Sequence, residues 1–415
     1  MNLLLKSSVV NQQSSIKISG SKSETNRLLL LQALYPNLTL GNTSNSDDSD
    51  VMTKALISND KTIDIHHAGT AMRFLTAYFA IQENREVVLT GSSRMKERPI
   101  KILVDAIRQL GAEISYEENE GFPPIRIKGK KLTQSKVSLS ANVSSQYISA
   151  LLLIAPKLEN GLELTLEGEI TSVPYIKMTL SLLNEIGVET SFVGNKITVK
   201  PTVTLSAVEG SYPFSLTVES DWSSASYFYS IAALSEIGTE IKLSSYKKDS
   251  LQGDSVLAEI YKDFGVETVF QENAIHLKKA NNSKFEILNL ELNNAPDIAQ
   301  TIAVTCFGLG IGCHLTGLHT LKIKETDRLL ALKNELEKLG AEVFITDESL
   351  ILEASSAINQ NIKIKTYQDH RMAMAFAPLA LKTNIIIEEA EVVSKSYLAF
   401  WNDLESIGFK ITETA

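Results

Sequence analysis

The sequence is poor in cysteine, in positive charge and in long apolar runs. Cys306 and Cys313 are the only cysteines, both in the apolar stretch IAVTCFGLGIGC, and there is no CxxC. That excludes a disulfide-stapled scaffold and reads as two buried small hydrophobes in a reducing compartment, so a cytoplasmic location is expected. Forty Lys and Arg stand against 49 Asp and Glu, a formal net charge of −9. This is the wrong sign for general nucleic-acid binding, which works by displacing counterions from phosphates. The one uncharged span of membrane length, residues 298–321, holds Gln300, His314, His319 and four glycines. It predicts a helix–turn–strand passage rather than a membrane span. The opening MNLLLKSSVV has a run of only three leucines, so no signal peptide is expected. With 44% hydrophobic and 21% charged residues the composition is that of an ordinary globular chain, not of disorder, collagen or coiled coil. At roughly 150 residues per domain, its 415 residues suggest two or three domains, with no need of a metal or disulfide staple.

An internal repeat is present. Five segments read as amphipathic helix, glycine, then strand: VDAIRQLGAEISY, SLLNEIGVETSF, LAEIYKDFGVETVF, LKNELEKLGAEVFI and WNDLESIGFKIT. Their glycines, Gly111, Gly187, Gly265, Gly340 and Gly408, are 76, 78, 75 and 68 residues apart and are expected to end each helix in the left-handed conformation. Six further segments start with small or polar capping residues and continue apolar almost all round, from Ser21, Gly69, Ser144, Ser223, Pro296 and Asp369. Such helices belong inside a domain, with the first series covering them. The pattern gives six α/β units, one of them abbreviated between residues 55 and 65, where no helix–Gly–strand segment fits. Units near 75 residues are too long for a solenoid, so a few compact multi-unit domains are expected.

The starts of the buried helices carry Lys22, Arg27, Arg73, Gln146, Asp297, His370 and Arg371. Capping explains the serines and Asp297, but cations are disfavoured beside a helix N-terminus. An anionic ligand reverses that penalty, because free N–H groups and arginines then share it. Two basic runs, RMKERP (Arg94, Lys96, Arg98) and KIKETDR (Lys322, Lys324, Arg328), sit in predicted loops at corresponding places of the repeat. Each alone reads as a solvated turn; together with the basic helix starts they point to a polyanionic small molecule. His66 and His67, adjacent on a predicted strand, would point apart and find no third ligand, so no metal is expected.

The segments GSKSETNR, AGTAMR, RMKERPI, VSSQY, SVPYI, LQGD, PDIAQT, KETDR, DHRMAM and SKSY occur in that order over nearly the whole chain. Through them the sequence resembles the 5-enolpyruvylshikimate-3-phosphate synthase family. The resemblance implies an α/β fold of two similar domains, an inverted α/β barrel type with three repeated units per domain and buried inner helices. It places residues 20–218 in the first domain, on the phosphoshikimate side, and 1–19 with 219–415 in the second, on the phosphoenolpyruvate side. Crossovers fall near 19–20 and 218–219, and the domains are expected to close over substrates in the cleft. It implies that shikimate-3-phosphate is contacted by Lys22, Ser23, Arg27, Ser144, Ser145, Gln146, Ser172, Asp297 and Lys324, flanked by Tyr175 and Thr320. Phosphoenolpyruvate is assigned Lys22, Gly69, Thr70, Arg98, Gln146, Arg328, His370, Arg371 and Lys395. Asp297 is implied as the base at the substrate hydroxyl, Glu325 as the proton shuttle at the methylene and Lys22 as a further acid/base. No cofactor is implied. The expected partners are these two small molecules, with no nucleic acid or membrane, and the chain is expected to be a monomer.

This sequence departs from the family pattern at His67 and Thr320, where Asn is usual, and at Phe74, where Pro is usual. Two rival readings stand against this one. The related UDP-N-acetylglucosamine enolpyruvyl transferases use a cysteine in the loop corresponding to residues 91–99, and GSSRMKERP has none. A non-catalytic binder of phosphate metabolites would have no use for both Asp297 and Glu325 in an anion site.

Overall fold

A computed structural model describes residues 1–6, 9–141, 144–168, 170, 173–202, 214–283 and 285–414. The chain divides into two compact units, Ser21–Val218, and Met1–Gly20 with Glu219–Ala415.

The Ser21–Val218 unit is built on three inner helices, Lys22–Leu34, Gly69–Ala80 and Ser145–Ile154. Their sequences explain their place. Every residue of Gly69–Ala80 is buried, as the absence of a polar face demands. Ser21 caps the first through the N–H of Glu24, and Ser144 caps the third through that of Gln146. Outer helices Asp47–Ile57, Lys101–Gln109 and Val173–Glu185 each bury one face. Thr62–Asp64 runs parallel to Glu86–Thr90, which pairs antiparallel with Ile125–Lys128, itself antiparallel to Glu113–Tyr116. Lys136–Ser140, Leu162–Glu167, Lys196–Val199 and Thr190–Val193 repeat that order. Among the described residues the remaining sheet has only the parallel pair Leu38–Gly41 and Phe214–Thr217. Here the chain leaves the outer helix at Ile57 and re-enters a strand at Thr62, too soon for the antiparallel arm. This is the abbreviated unit.

The other unit repeats the plan three times in full. Its inner helices are Trp222–Leu234, Ala299–Leu309 and His370–Phe376, and its outer ones Leu257–Asp263, Arg328–Lys338 and Phe400–Ser406. Each of its three sheets has the same parallel pair and antiparallel arm. The N-terminal segment serves two of them. Asn2–Lys6 lies between Ile385–Ile387 and Lys410–Thr414, and Gln13–Ile16 pairs with Glu240–Ser244.

The five repeat glycines have φ of 101°, 84°, 77°, 101° and 112° in chain order, the left-handed exit expected of them. Residues 298–321 form the predicted passage: helix Ala299–Leu309, Gly310 in the left-handed region, and strand Gly312–Thr316. No helix among the described residues is long and apolar enough to cross a membrane. Two local expectations differ. His66 and His67 lie in a turn after Thr62–Asp64, His66 with φ 49°, and not on a strand, because Asp64 accepts from the His66 N–H and closes the turn. Met95 packs inward, so RMKERP contains one helical turn, Ser93–Lys96, capped by Ser92, rather than a plain loop.

Candidate active site

In the Ser21–Val218 unit the matched residues gather at the starts of the three inner helices. Arg27 is buried, and each of its three nitrogens donates to a neutral group. It donates to Thr179 Oγ1 at 2.8 Å, to the Ser23 carbonyl at 2.7 Å and to Ser149 Oγ at 2.9 Å. Its guanidinium also lies 5.5 Å from the ring centre of Phe74 and 5.9 Å from that of Tyr175. Phe74, the departure from the family pattern, thus supplies an aromatic face to a buried cation. Burial lowers Arg27 to about 10, against small support from Tyr175 and Glu24.

Arg98 lies against Gly69: a Cβ there would meet its Nη1 at 2.6 Å. Only glycine lets the guanidinium approach this helix start, which has no side-chain cap. Arg73, one turn along, donates to the Gly69 carbonyl at 2.9 Å, and burial, then Arg98, lowers it to about 10. Gln146 Nε2 donates to Thr70 Oγ1 at 3.1 Å and Tyr147 to the Pro99 carbonyl at 2.6 Å, tying two helix starts and the Arg98 segment together. Lys22 Nζ is 3.7 Å from the Asp48 carboxylate. Ser145 is buried and Ser144 caps its helix. Ser172 lies outside the described residues. The uncapped Gly69 helix start, the three arginines Arg27, Arg73 and Arg98, and Lys22 beside Asp48 suit an anion.

In the other unit the matched residues converge on one guanidinium. Arg328, 2% exposed, donates to Asp369 Oδ2 at 2.6 Å, to Asp297 Oδ1 at 2.9 Å and to Glu325 Oε2 at 2.6 Å. Arg371 Nη2 reaches Asp297 Oδ2 at 3.2 Å, and Lys324 Nζ lies 3.5 Å from Asp297 Oδ1. Burial works against ionisation of Asp297, but Arg371, Lys324 and Arg328 outweigh it and hold the carboxyl well below the usual carboxylate range. Burial likewise opposes the charge of Arg328, and Asp369, Glu325 and Asp297 more than restore it. Asp369 caps the helix of His370 and Arg371 through the Arg371 N–H. Tyr367 and Gln368, just before it, both have positive φ, and the Gln368 carbonyl accepts from Lys395 Nζ at 2.7 Å. His370 is buried with Nδ1 3.8 Å from Asp369. Thr320 sits in the turn His319–Ile323, its buried hydroxyl without a hydrogen-bond partner among the described residues.

Across residues 53–404 the chain matches the family model described as EPSP synthase (3-phosphoshikimate 1-carboxyvinyltransferase). The chain belongs to the EPSP synthase family. Among its relatives, a 3-phosphoshikimate 1-carboxyvinyltransferase of Bacteroides fragilis is 48% identical over 404 residues, 96% of each chain. That of Mannheimia haemolytica is 36% identical, covering 96% of this chain and 97% of the relative. Among solved structures, an EPSP synthase from Acinetobacter baumannii superposes with TM-score 0.81 at 20% identity, over 99% of this chain and 100% of that one. The enolpyruvyl transferase NikO from Streptomyces tendae gives 0.74 at 12% identity, over 100% and 98%. Both likenesses establish the fold, two domains of the enolpyruvyl transferase type.

Sequence reasoning missed several members of these two clusters of an EPSP synthase family chain. Ser149 and Thr179, which hold Arg27, lie inside helices with no mark beyond a hydroxyl on an apolar face. Asp369 was readable as a cap but not as the bidentate partner of Arg328. Of the two basic runs, Arg94, Lys96 and Lys322 make surface pairs with Glu97, Glu118 and Asp347, the solvated-turn reading, while Arg98, Lys324 and Arg328 join the clusters. Among the described residues no group of His, Cys, Asp and Glu could hold a metal ion.

Proposed function

We propose that this chain is a 3-phosphoshikimate 1-carboxyvinyltransferase. It transfers the enolpyruvyl group of phosphoenolpyruvate to the 5-hydroxyl of shikimate-3-phosphate, a step of aromatic amino-acid biosynthesis. A proton adds to the methylene carbon of phosphoenolpyruvate, and the 5-oxygen attacks the neighbouring carbon as its own proton passes to a base. The tetrahedral intermediate then expels phosphate by C–O cleavage and returns the methyl proton, re-forming the double bond.

The observation that carries this reading is the gathering of both implied carboxylates, Asp297 and Glu325, on the single guanidinium of Arg328. Asp297 is ionised and so ready to accept a proton, but three cations weaken it as a base. Anionic substrates compete for Arg371, Lys324 and Arg328, and as they take those hydrogen bonds Asp297 regains basicity. Glu325, bound to Arg328 through Oε2 and with a side chain 31% exposed, is the group we assign to proton transfer to and from the methylene carbon. Lys22 is the further acid/base. In our reading Lys22, Ser23, Arg27, Ser144, Ser145, Gln146, Ser172, Tyr175, Asp297, Thr320 and Lys324 serve shikimate-3-phosphate. Lys22, Gly69, Thr70, Arg98, Gln146, Arg328, His370, Arg371 and Lys395 serve phosphoenolpyruvate, arginine forks taking carboxylate and phosphate oxygens in pairs. The free, buried Cys306 and Cys313 support a reducing, cytoplasmic setting, and we take the working form as a monomer.

A phosphate-release assay tests this. Shikimate-3-phosphate with phosphoenolpyruvate should release phosphate, and UDP-N-acetylglucosamine in place of the first should not. Release only with the sugar nucleotide, or binding of both substrates without release, overturns the reading.

A further inference from the structure

Behind Arg371 lies a carboxyl group that the reaction scheme leaves unused. Asp254 is 3% exposed, at the start of the short helical turn Gly253–Val256. Its Oδ2 accepts a hydrogen bond from Ser223 Oγ, and its Oδ1 has no partner among the described residues. Ser223 Oγ in turn accepts from Arg371 Nη2 at 3.2 Å. Neither residue has a structural task that would explain the pair. The Trp222–Leu234 helix is already capped by Asp221, which accepts from the Ser224 N–H at 2.9 Å. The turn holding Asp254 has no side-chain cap bond. A buried carboxyl with one oxygen unpaired is costly, so its retention calls for another reason.

Hydroxyl chemistry supplies one. A serine has a single proton, and it can accept from a guanidinium only if that proton points elsewhere. Asp254 takes it. We propose that Asp254 and Ser223 form a positioning relay that fixes the orientation of the Arg371 guanidinium toward the carboxylate or phosphate of phosphoenolpyruvate. The inference rests on the assignment of Arg371 to that substrate. Arg371 also donates to the Asp297 carbonyl and carboxylate, both of which the substrates disturb. Ser223 is then the anchor that stays in place.

The charges facing Asp254 are Asp297 and Asp221, which oppose its ionisation, and Arg371, which favours it together with the Ser223 hydrogen bond. Burial is the largest influence, and the balance pushes the carboxyl up to about 6. Protonation frees the chain. Asp254 can then donate to Ser223, whose own proton loses its fixed acceptor, so the Oγ lone pairs are no longer held on Arg371.

The test is steady-state kinetics of full-length variants with both substrates. Ser223→Ala and Asp254→Ala should each raise KM for phosphoenolpyruvate about tenfold, the size of one hydrogen bond to a charged group, with kcat and KM for shikimate-3-phosphate nearly unchanged. The double variant should be no worse than either single one, because both cut the same chain. Asp254→Asn, which keeps an acceptor oxygen, should restore KM at pH 7.5 yet lose the acid limb near pH 6 expected of wild type in kcat/KM for phosphoenolpyruvate. Unchanged KM in the single variants, additive losses, or equal losses for both substrates overturn the relay. If Asp254→Ala fails to fold, Ser223→Ala and Asp254→Asn decide. A wild-type protein with no phosphate release fails the functional reading itself, a different outcome from any of these.

Discussion

In the Ser21–Val218 unit the buried guanidiniums of Arg27 and Arg73 rest on hydroxyls, carbonyls and rings, whereas in the other unit Arg328 and Arg371 rest on carboxylates. Burial is the largest influence on all four. In the first pair it prevails and lowers both to about 10. In the second, neighbouring carboxylates reverse it and hold both above the ordinary arginine value. One unit therefore keeps its cations short of counter-charge, and an arriving anion adds what is missing. The other is neutralised within itself, and an arriving anion must compete. The first arrangement suits affinity for a phosphate; on the proposed assignment of the site, the second would couple binding to the protonation of Asp297.

The largest effect that would break this contrast is on stability. Arg328→Met strands Asp297, Glu325 and Asp369 and should cost about 3–5 kcal/mol in urea unfolding, as loss of one partner of a buried ion pair does. Arg27→Met should cost no more than about 1 kcal/mol, since Ser149 and Thr179 already stand 2.9 Å apart and can pair with each other. It should nonetheless weaken shikimate-3-phosphate strongly. Equal stability losses would erase the distinction.

Next come Lys22→Met and Glu325→Gln, each expected to cut turnover about a hundredfold or more with an unchanged circular dichroism spectrum. A wild-type rate in either removes that residue from the chemistry. Smaller again is Gly69→Ala. Its Cβ displaces the end of the Arg98 side chain rather than any backbone, so Tm should hold while KM for phosphoenolpyruvate rises about tenfold. A fall in Tm without a change in KM would make Gly69 a packing residue.

The smallest effect separates the two buried aspartates. Asp297 is held below its unfolded value, so its contribution to stability is present above about pH 4 and is lost as pH falls further. Asp254 is raised to about 6, so its charge costs stability above pH 6 and the cost vanishes between pH 6 and 4. Asp254→Asn should melt slightly above wild type at pH 7.5 and level with it at pH 4.5. A gap that widens in acid would reverse the assignment.

What the sequence made legible was local. The six inner helices were readable from apolar runs behind Ser, Gly, Pro or Asp, and five of the six outer ones because a glycine must end them where φ turns positive; Asp47–Ile57, which ends at Ser58 without a glycine, was not. The shortened unit was readable as a missing segment, though not as the loss of an antiparallel arm from one sheet. The matched site residues were readable by motif, but the sign of their surroundings was not. Arg27 and Arg328 look alike in one dimension, and which meets a hydroxyl and which a carboxylate depends on contacts 152 and 41 residues away. The His66–His67 error had a similar origin, a strand pattern overruled by one Asp64 hydrogen bond.

The first twenty residues have a consequence for how this protein can be divided. Asn2–Lys6 is an internal strand of one sheet and Gln13–Ile16 an edge strand of another, both in the unit that otherwise begins at Glu219. Residues 219–415 made alone would thus present two opened sheets, with the unpaired rows of N–H and C=O groups that invite aggregation. Supplied with a peptide of residues 1–20, the same fragment would find both strands at once. Any division of the chain at residue 219 therefore has to carry these two strands with the second half.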